Sequence, residues 1–208
     1  MKRLYLLLLL FWLTVKINAP AQTVTPLHFK SLSINEGLSQ GFISGITQDK
    51  QGFMWFTTGD GLNKYDGYTF TIYHHDPDDS TSIGSDDLTY VFEDSKQRLW
   101  IGTRNNGFDY FDRETNTFYH FRHTNAQSLL SDKVSRISED KTGALWISMD
   151  QGIDRMEILP AKNSSARNSF LDAYNVRFTH VKADRNVVGR PDVPNSSSSA
   201  ECYMQAQR

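Results

Sequence analysis

The chain has little cysteine and no clustered charge, and each shortage excludes a class of protein. Its 208 residues include one cysteine, Cys202, so no disulfide can form within the chain and a small disulfide-stapled domain is excluded. Lys and Arg number 22 against 24 Asp and Glu, with no basic stripe, which gives no reason to expect nucleic-acid binding. Packing of the 38% apolar residues must therefore provide the stability.

The N-terminus differs in composition from the rest of the chain. Lys2 and Arg3 precede an apolar run over residues 4–15, and residues 19–21 read Ala-Pro-Ala. This order is typical of a secretory signal peptide. A retained membrane anchor is the alternative, but the run is shorter than the roughly 20 residues that a transmembrane helix needs. We expect cleavage after Ala21 and export from the cytoplasm.

An internal repeat is the most informative feature of the chain. An aspartate is followed six positions later by a tryptophan three times, and the tryptophans are 45 and 46 residues apart. A period of about 40–50 residues is typical of one blade of a β-propeller. The signature residues are Asp49, Gly52, Trp55 and Gly61, then Asp94, Trp100 and Gly107, then Asp140, Gly143, Trp146 and Gly152.

Each copy reads as four short strands separated by turns. In the second copy, alternating apolar residues and turn residues predict strands at 88–93, 98–103, 108–112 and 117–121. The third copy lacks a fourth strand at the expected distance, and we place it after an insertion near 158–176. The predicted fold class is all-β: a partial β-propeller of about three four-stranded antiparallel blades, with an N-terminal signal peptide and an irregular C-terminal tail.

The domain organisation follows from these copies. Three blades cannot close a ring, because closed propellers have about four to eight. We therefore expect either the beginning of a longer protein or a small module that pairs with copies of itself. The predicted segments are a signal peptide at 1–21, a strand within 22–37 that would complete the last blade of a longer protein, repeats at 38–82, 83–128 and 129–182, and a polar tail at 183–208 that resembles an eroded fourth repeat.

The turns and tryptophans have a structural interpretation. The aspartate that begins each Asp-x-x-Gly turn can accept hydrogen bonds from the turn backbone, and its glycine can adopt a positive φ. Gln97 takes the place of this glycine in the second copy, which predicts a strained or differently built turn. Tryptophan faces can stack on sugars, but the fixed register favours residues wedged between blades.

Several motifs resemble the two-component regulator propeller repeats. They are Leu38-Ser-Gln, the Gln-Asp-Lys-Gln-Gly-Phe-Met-Trp-Phe of 48–56, the Asp-Gly-Leu-Asn-Lys-Tyr-Asp-Gly of 60–67, Tyr73-x-x-Asp76, the Leu-Trp-Ile-Gly-Thr of 99–103 and, altered at its end, the Leu-Trp-Ile-Ser of 145–148. The resemblance covers about residues 27–156. It implies the periplasmic sensor of a Bacteroidetes-type hybrid histidine kinase, whose dimeric, inner-membrane-anchored parent contains further blades and a kinase and binds oligosaccharides. This chain is far shorter, so no signalling output is attributed to it.

The turns between the second and third strands are the candidate ligand site. These turns share one end of a propeller, so their polar side chains can converge, although ordinary surface polarity is the alternative. The candidates are Asp60, Arg104, Asn105, Asp150 and Gln151. The polar stretch at 74–79 contains imidazoles and carboxylates, but its spacing fits no strong metal motif, so we expect no metal and no other cofactor.

Three functions remain open on the sequence. The first is a periplasmic sensor segment that binds an oligosaccharide. The second is a secreted repeat scaffold that binds protein through its exposed blades. The third is a fragment of a propeller glycan hydrolase, which would need paired carboxylates with separated pKa values. No catalytic or kinase motif is present in the sequence, so we do not expect an enzyme.

Overall fold

The computed structural model describes residues 29–160 and 174–181. The chain divides into one unit that ends at Ser31 and a second that begins at Leu32, and the strands of the described ranges lie in the second unit. The predicted signal peptide and the polar tail at 183–208 lie outside the described residues. Among those residues, no helix has the length and apolar character required to cross a membrane.

The described part of the second unit consists of three four-stranded antiparallel sheets. Each sheet keeps its strands in chain order, as a blade does, and the predicted fold class is confirmed. The blades are β1 Ile43–Gln48, β2 Met54–Thr58, β3 Leu62–Tyr65 and β4 Phe70–Tyr73; then β5 Leu88–Glu93, β6 Leu99–Thr103, β7 Phe108–Asp112 and β8 Thr117–Phe121; then β9 Val134–Glu139, β10 Leu145–Met149, β11 Gly152–Pro160 and β12 Tyr174–Val181.

The apolar core lies mainly between blades rather than within them. The first strands β1, β5 and β9 are neighbours, as expected for strands around a common axis. Trp55 is fully buried against residues of the second blade, and its ring centroid lies 5.6 Å from that of Phe111. Trp100 is fully buried in the cluster that joins the second and third blades. The interpretation of these two tryptophans as interblade core residues is therefore confirmed.

The six-residue interval from aspartate to tryptophan has a direct cause. In each blade the indole Nε1–H donates to the aspartate Oδ2, at 2.7 Å from Trp55 to Asp49, 2.9 Å from Trp100 to Asp94 and 3.0 Å from Trp146 to Asp140. The other oxygen accepts two backbone N–H groups of the turn in all three copies. One carboxylate thus closes the β1–β2 turn, or its equivalent, and satisfies a buried indole.

The electrostatics of these aspartates favour the charged form. Burial by itself would raise the pKa of Asp49, but hydrogen bonds from Trp55 and Arg113 outweigh it and lower that pKa. Burial likewise opposes a lowered pKa at Asp140, where hydrogen bonds from Thr142 and Trp146 outweigh it. Arg113 also joins two blades, because its guanidinium lies 2.6 Å from Asp49 and 2.9 Å from Glu93.

The turn glycines adopt the conformation that the sequence predicts. Gly52 and Gly143 have φ values of 95° and 84°, and Gln97 is forced to a φ of 65° at the same position. A side chain with a Cβ is unfavourable there, so the second turn carries backbone strain that the other two avoid.

The N-terminal segment has no strand at residues 29–32 and leads to a short 3-10 helix at Ile34–Glu36 with a capping box from Ser33. Its pairing with the last blade of a longer protein stays a prediction, because the described blades pair their own four strands. In the third blade, residues 158–160 pair with 174–176, so the insertion is shorter than the predicted 158–176 because the ladder extends into it.

Candidate functional site

The polar residues predicted for ligand binding lie at one end of the blades. Antiparallel order places the β2–β3, β6–β7 and β10–β11 turns at the same end as the connections between blades. We call this the connection end, and we call the opposite end, with the Asp-x-x-Gly turns, the turn end.

A buried residue on the third strand of each blade anchors the connection that enters that blade. Asn63 accepts the backbone N–H of Ser39 at 2.9 Å. Asp109 accepts that of Gly84 at 2.7 Å, and Asp154 accepts that of Leu130 at 2.8 Å. The three anchors are fully buried. We call these contacts latches, because each one fixes the loop that forms the surface of the connection end.

Two of the latches are reinforced by a histidine on the neighbouring fourth strand. His120 Nδ1 lies 2.7 Å from Asp109, and His180 Nδ1 lies 2.7 Å from Asp154. The hydrogen bond to Asp109 raises the pKa of His120, although burial opposes the shift. In the first blade the corresponding pair is Asn63 and Ile72, so that latch has no ionisable group on either strand.

The signature glycines hold successive blades together at this end. The N–H of Gly61 donates to the carbonyl of Asp86 at 2.9 Å, and that of Gly107 donates to the carbonyl of Asp132 at 2.8 Å. Gly107 has a φ of 72°, and a Cβ there would overlap the Phe121 carbonyl oxygen. The turn of one blade is therefore fixed against the connection to the next.

An exposed ion pair occupies equivalent positions in the second and third blades with its charges exchanged. Arg104 Nε lies 2.8 Å from Asp87 in the second blade. In the third blade Asp150 takes the position of Arg104, and it lies 3.6 Å from Lys133, which takes the position of Asp87. The two side chains of each pair attract each other in both blades, but the positive and negative positions are exchanged.

A cavity of about 460 Å³ opens at the connection end between the second and third blades. Ser131 Oγ donates to Asp150 Oδ1 at 2.6 Å on its wall. This hydrogen bond, helped by Lys133, lowers the pKa of Asp150 and keeps it charged. The lining residues are Asn105, His123, Leu130, Ser131, Asp132, Lys133, Asp150 and Gln151.

The cavity brings together three of the five predicted ligand-binding residues. Asn105 comes from the second blade, and Asp150 and Gln151 come from the third. Arg104 is instead paired with Asp87 outside the lining. Asp60 lies at the first blade, where its carboxylate is 3.8 Å from the imidazole of His74.

Sequence reasoning missed the cavity residues that come from the connection. Ser131, Asp132 and Lys133 directly precede β9, and the connection that enters a blade lies at the same end as the β2–β3 type of turn. Strand order alone could therefore have found them. In the described ranges, no group of three His, Cys, Asp or Glu residues is placed to hold a metal ion.

Comparisons with known proteins define the class of protein to which these blades are similar. The chain is a partial β-propeller whose residues 37–60 and 82–105 match the two-component regulator propeller. A stretch of 55 residues is 56% identical to Histidine kinase P4 of Formosa agariphila, and it spans 26% of this chain and 4% of that kinase. The matches to residues 37–60 and 82–105 confirm the resemblance drawn from the motifs.

A solved structure extends the likeness beyond the matched repeats. It is the extracellular domain of BT3049 from B. thetaiotaomicron, described as a hybrid two-component system. The superposition has a TM-score of 0.61 at 31% identity, and it covers 80% of this chain and 21% of that chain. The chain thus spans a small part of the length of either relative.

Proposed function

We propose that this chain is a periplasmic sensor segment of a hybrid two-component regulator and that its connection end binds an oligosaccharide. The repeats and the likeness to an extracellular domain of such a system support the sensor assignment. The predicted signal peptide agrees with a site outside the cytoplasm. In this proposal the chain contributes blades to a dimeric, inner-membrane-anchored kinase and performs no catalytic step itself.

The observation that carries the ligand site is the convergence of polar side chains from two blades on one cavity. A volume of about 460 Å³ lies within the roughly 300–1,000 Å³ of small-molecule sites. Asn105 and Gln151 each offer an amide donor and acceptor, Asp150 offers a charged acceptor, and Lys133 offers a charged donor. A neutral ligand with many hydroxyl groups can use all of these in turn.

Hydrolysis is less well supported than binding. A glycosidase general acid needs a pKa raised by its surroundings. The hydrogen bond from Ser131 instead lowers the pKa of Asp150, so this carboxylate is a poor proton donor at neutral pH. The secreted scaffold has one specific observation in its favour, the exposed apolar side chains of the first blade, which include Phe42 at 69% and Ile46 at 56% exposure.

Titration calorimetry with a panel of defined oligosaccharides tests the ligand class. We expect heat of binding with at least one glycan and a loss of at least tenfold in affinity for Asn105→Ala and Gln151→Ala. The matched control is Glu114→Ala, an exposed residue at the turn end, which should leave the affinity unchanged.

Three results would contradict the proposal. The absence of heat with any glycan in the panel would favour the protein-binding scaffold. Equal weakening by the Glu114→Ala control would place the binding elsewhere. Shortened glycans in the calorimeter cell after the titration would favour the hydrolase.

A further inference from the structure

The connection between the first and second blades crosses the outer strand of the second blade. This connection spans residues 74–87, between β4 and β5. The N–H of Phe118 on β8 donates to the carbonyl oxygen of Thr81 at 2.9 Å, and Nε2 of His120 on the same strand lies 3.2 Å from the carbonyl oxygen of Ser80. Residues 80–81 therefore cover part of the outer edge of β8, and we call them the strap.

Both ring nitrogens of His120 face groups that can only accept a hydrogen bond. Nδ1 lies 2.7 Å from Asp109 Oδ1, and Nε2 faces the carbonyl oxygen of Ser80. A neutral imidazole has one N–H group, whereas the protonated imidazolium has two. Both contacts can therefore be hydrogen bonds only while His120 is charged.

The contact with the strap is the one that is lost when His120 gives up a proton. Asp109 is fully buried, and its carboxylate is a charged acceptor, so the N–H that faces it makes the stronger bond. In the neutral imidazole the remaining proton stays on Nδ1, and a lone pair of Nε2 faces the carbonyl oxygen of Ser80. Repulsion between two acceptors then replaces the hydrogen bond, and the buried carboxylate loses its counter-charge.

The charged side chains beside His120 act on its pKa in opposite directions. Asp109, on β7, raises the pKa mainly through its hydrogen bond, whereas Arg122, two residues further along the chain, lowers it. From the connection, the Ser80 carbonyl faces the imidazole and also raises the pKa, while burial opposes the shift. The net effect raises the pKa of His120 above 6.5, so its proton is lost above that pH.

The same arrangement recurs in the third blade. His180 Nδ1 lies 2.7 Å from Asp154, which is fully buried, and Nε2 lies 2.9 Å from the carbonyl oxygen of Ala126 in the connection that enters that blade. In the first blade Asn63 and Ile72 occupy the equivalent positions, so that latch has no group that titrates near neutral pH. The chain thus contains its own pH-insensitive comparison.

We propose that the strap is a pH-operated device, which is closed on β8 while His120 carries two ring protons and opens when His120 loses one of them. Opening frees the N–H of Phe118, because the carbonyl of Thr81 moves away together with that of Ser80. The bond from His120 stabilises the closed strap below pH 6.5 and is lost as the pH rises through the raised pKa of His120. The device requires no ligand at the connection end.

Amide hydrogen exchange of the 208-residue chain, followed by NMR between pH 6 and pH 9, measures the opening. Intrinsic exchange rises with pH at every amide, so the rate at Phe118 is divided by the rate at Ser39, whose N–H is held by Asn63. We expect this ratio to rise about tenfold to a hundredfold from pH 6 to pH 9, the usual effect of losing one hydrogen bond to a charged group.

The matched control gives the second blade the latch of the first. The double variant Asp109→Asn, His120→Ile has no titratable group at these two positions and keeps His74 and His75, which lie in the same connection. Its exchange ratio should stay constant between pH 6 and pH 9. Circular dichroism establishes that the double variant is folded before its exchange is compared.

The nitrogen NMR shifts of the His120 imidazole follow the proton directly and need no variant. We expect protons on both ring nitrogens at pH 6 and on Nδ1 alone at pH 9, with the change at the same pH as the change in Phe118 exchange. Three results would overturn the proposal: a His120 proton lost below pH 6.5, a constant exchange ratio in the unmodified chain, or a pH-dependent ratio in the folded double variant.

Discussion

The turn end and the connection end differ in how closely their residues repeat from blade to blade. At the turn end all three blades use the same aspartate, the same two backbone hydrogen bonds and the same indole contact. At the connection end the equivalent positions hold different groups, such as Arg104 in one blade and Asp150 in the next. The repeated contacts at the turn end stabilise each blade in the same way. The varied side chains at the connection end allow the blades to contact a ligand differently.

Removal of a buried indole should destabilise the turn end more than any other single change. Trp100→Ala should lower the free energy of unfolding by about 3–5 kcal/mol, because it leaves a cavity between the second and third blades. Urea denaturation measures the loss. Tyr68→Ala removes a side chain that is 88% exposed and should change the free energy by less than about 0.5 kcal/mol. Similar losses for both variants would mean that the interblade core does not dominate stability.

The carboxylate that holds this indole should matter nearly as much. Asp94→Asn keeps the shape but removes the charge that accepts Trp100 Nε1–H and pairs with Arg98 at 2.6 Å. We expect a loss of about 1–3 kcal/mol in the same urea experiment. Asp150→Asn, at the exposed connection end, should leave the urea midpoint nearly unchanged, because an exposed ion pair contributes little to stability. An equal loss of stability in Asp94→Asn and Asp150→Asn would contradict the proposed difference between the two ends.

Acid should reduce the stability of the turn end, because its aspartates become protonated. The pKa values of Asp49 and Asp140 are lowered from 3.8, so both groups stabilise the fold above that value and lose this contribution as the pH falls below it. Thermal unfolding between pH 6 and pH 2 should show a midpoint that falls mainly below about pH 4. The double variant Asp49→Asn, Asp140→Asn should start lower and fall less steeply; an equal slope would contradict the assignment.

The one irregular turn offers a stabilising change. Gln97 has a φ of 65°, where the other two copies have glycine. Gln97→Gly should raise the free energy of unfolding by about 0.5–1 kcal/mol, because glycine adopts this conformation without the Cβ penalty. The reverse change, Gly143→Gln, should destabilise by a similar amount. A loss of stability in Gln97→Gly would show that its side chain makes a contact worth more than the strain.

The smallest effect is expected for a charge exchange at the connection end. Asp87→Lys with Arg104→Asp recreates in the second blade the arrangement found in the third. Because the pair is exposed, the free energy of unfolding should change by less than about 0.5 kcal/mol. Glycan affinity in the neighbouring cavity is the second readout, and a change there without a change in stability would strengthen the contrast between the ends.

The sequence predicts the turn end well because its causes are local. Asp49 and Trp55 are separated by one turn and part of one strand, so their spacing is fixed before any blade packs. The latches are harder to predict, because the pairing of Asp109 with His120 depends on strand register and on a loop from the preceding blade. The first blade has Asn63 and Ile72 at these positions, so the Asp–His pair does not recur in every described blade and is harder to recognise in the sequence.

The candidate site is predictable in part. Asn105, Asp150 and Gln151 follow from the rule that alternate turns share an end, and they line one cavity. Lys133 requires the further step that the connection entering a blade lies at the same end as these turns. For the N-terminal segment the spacing predicts a strand whose partner edge belongs to a blade beyond the three described, so that pairing stays a prediction.

The latches also bear on how the protein matures. Each latch joins residues only 24 or 25 positions apart: Ser39 to Asn63, Gly84 to Asp109 and Leu130 to Asp154. Contacts this close in sequence form quickly, because little chain has to be brought together. A blade can therefore secure its own loop as soon as its third strand is available to pair, so the blades can assemble one after another in chain order.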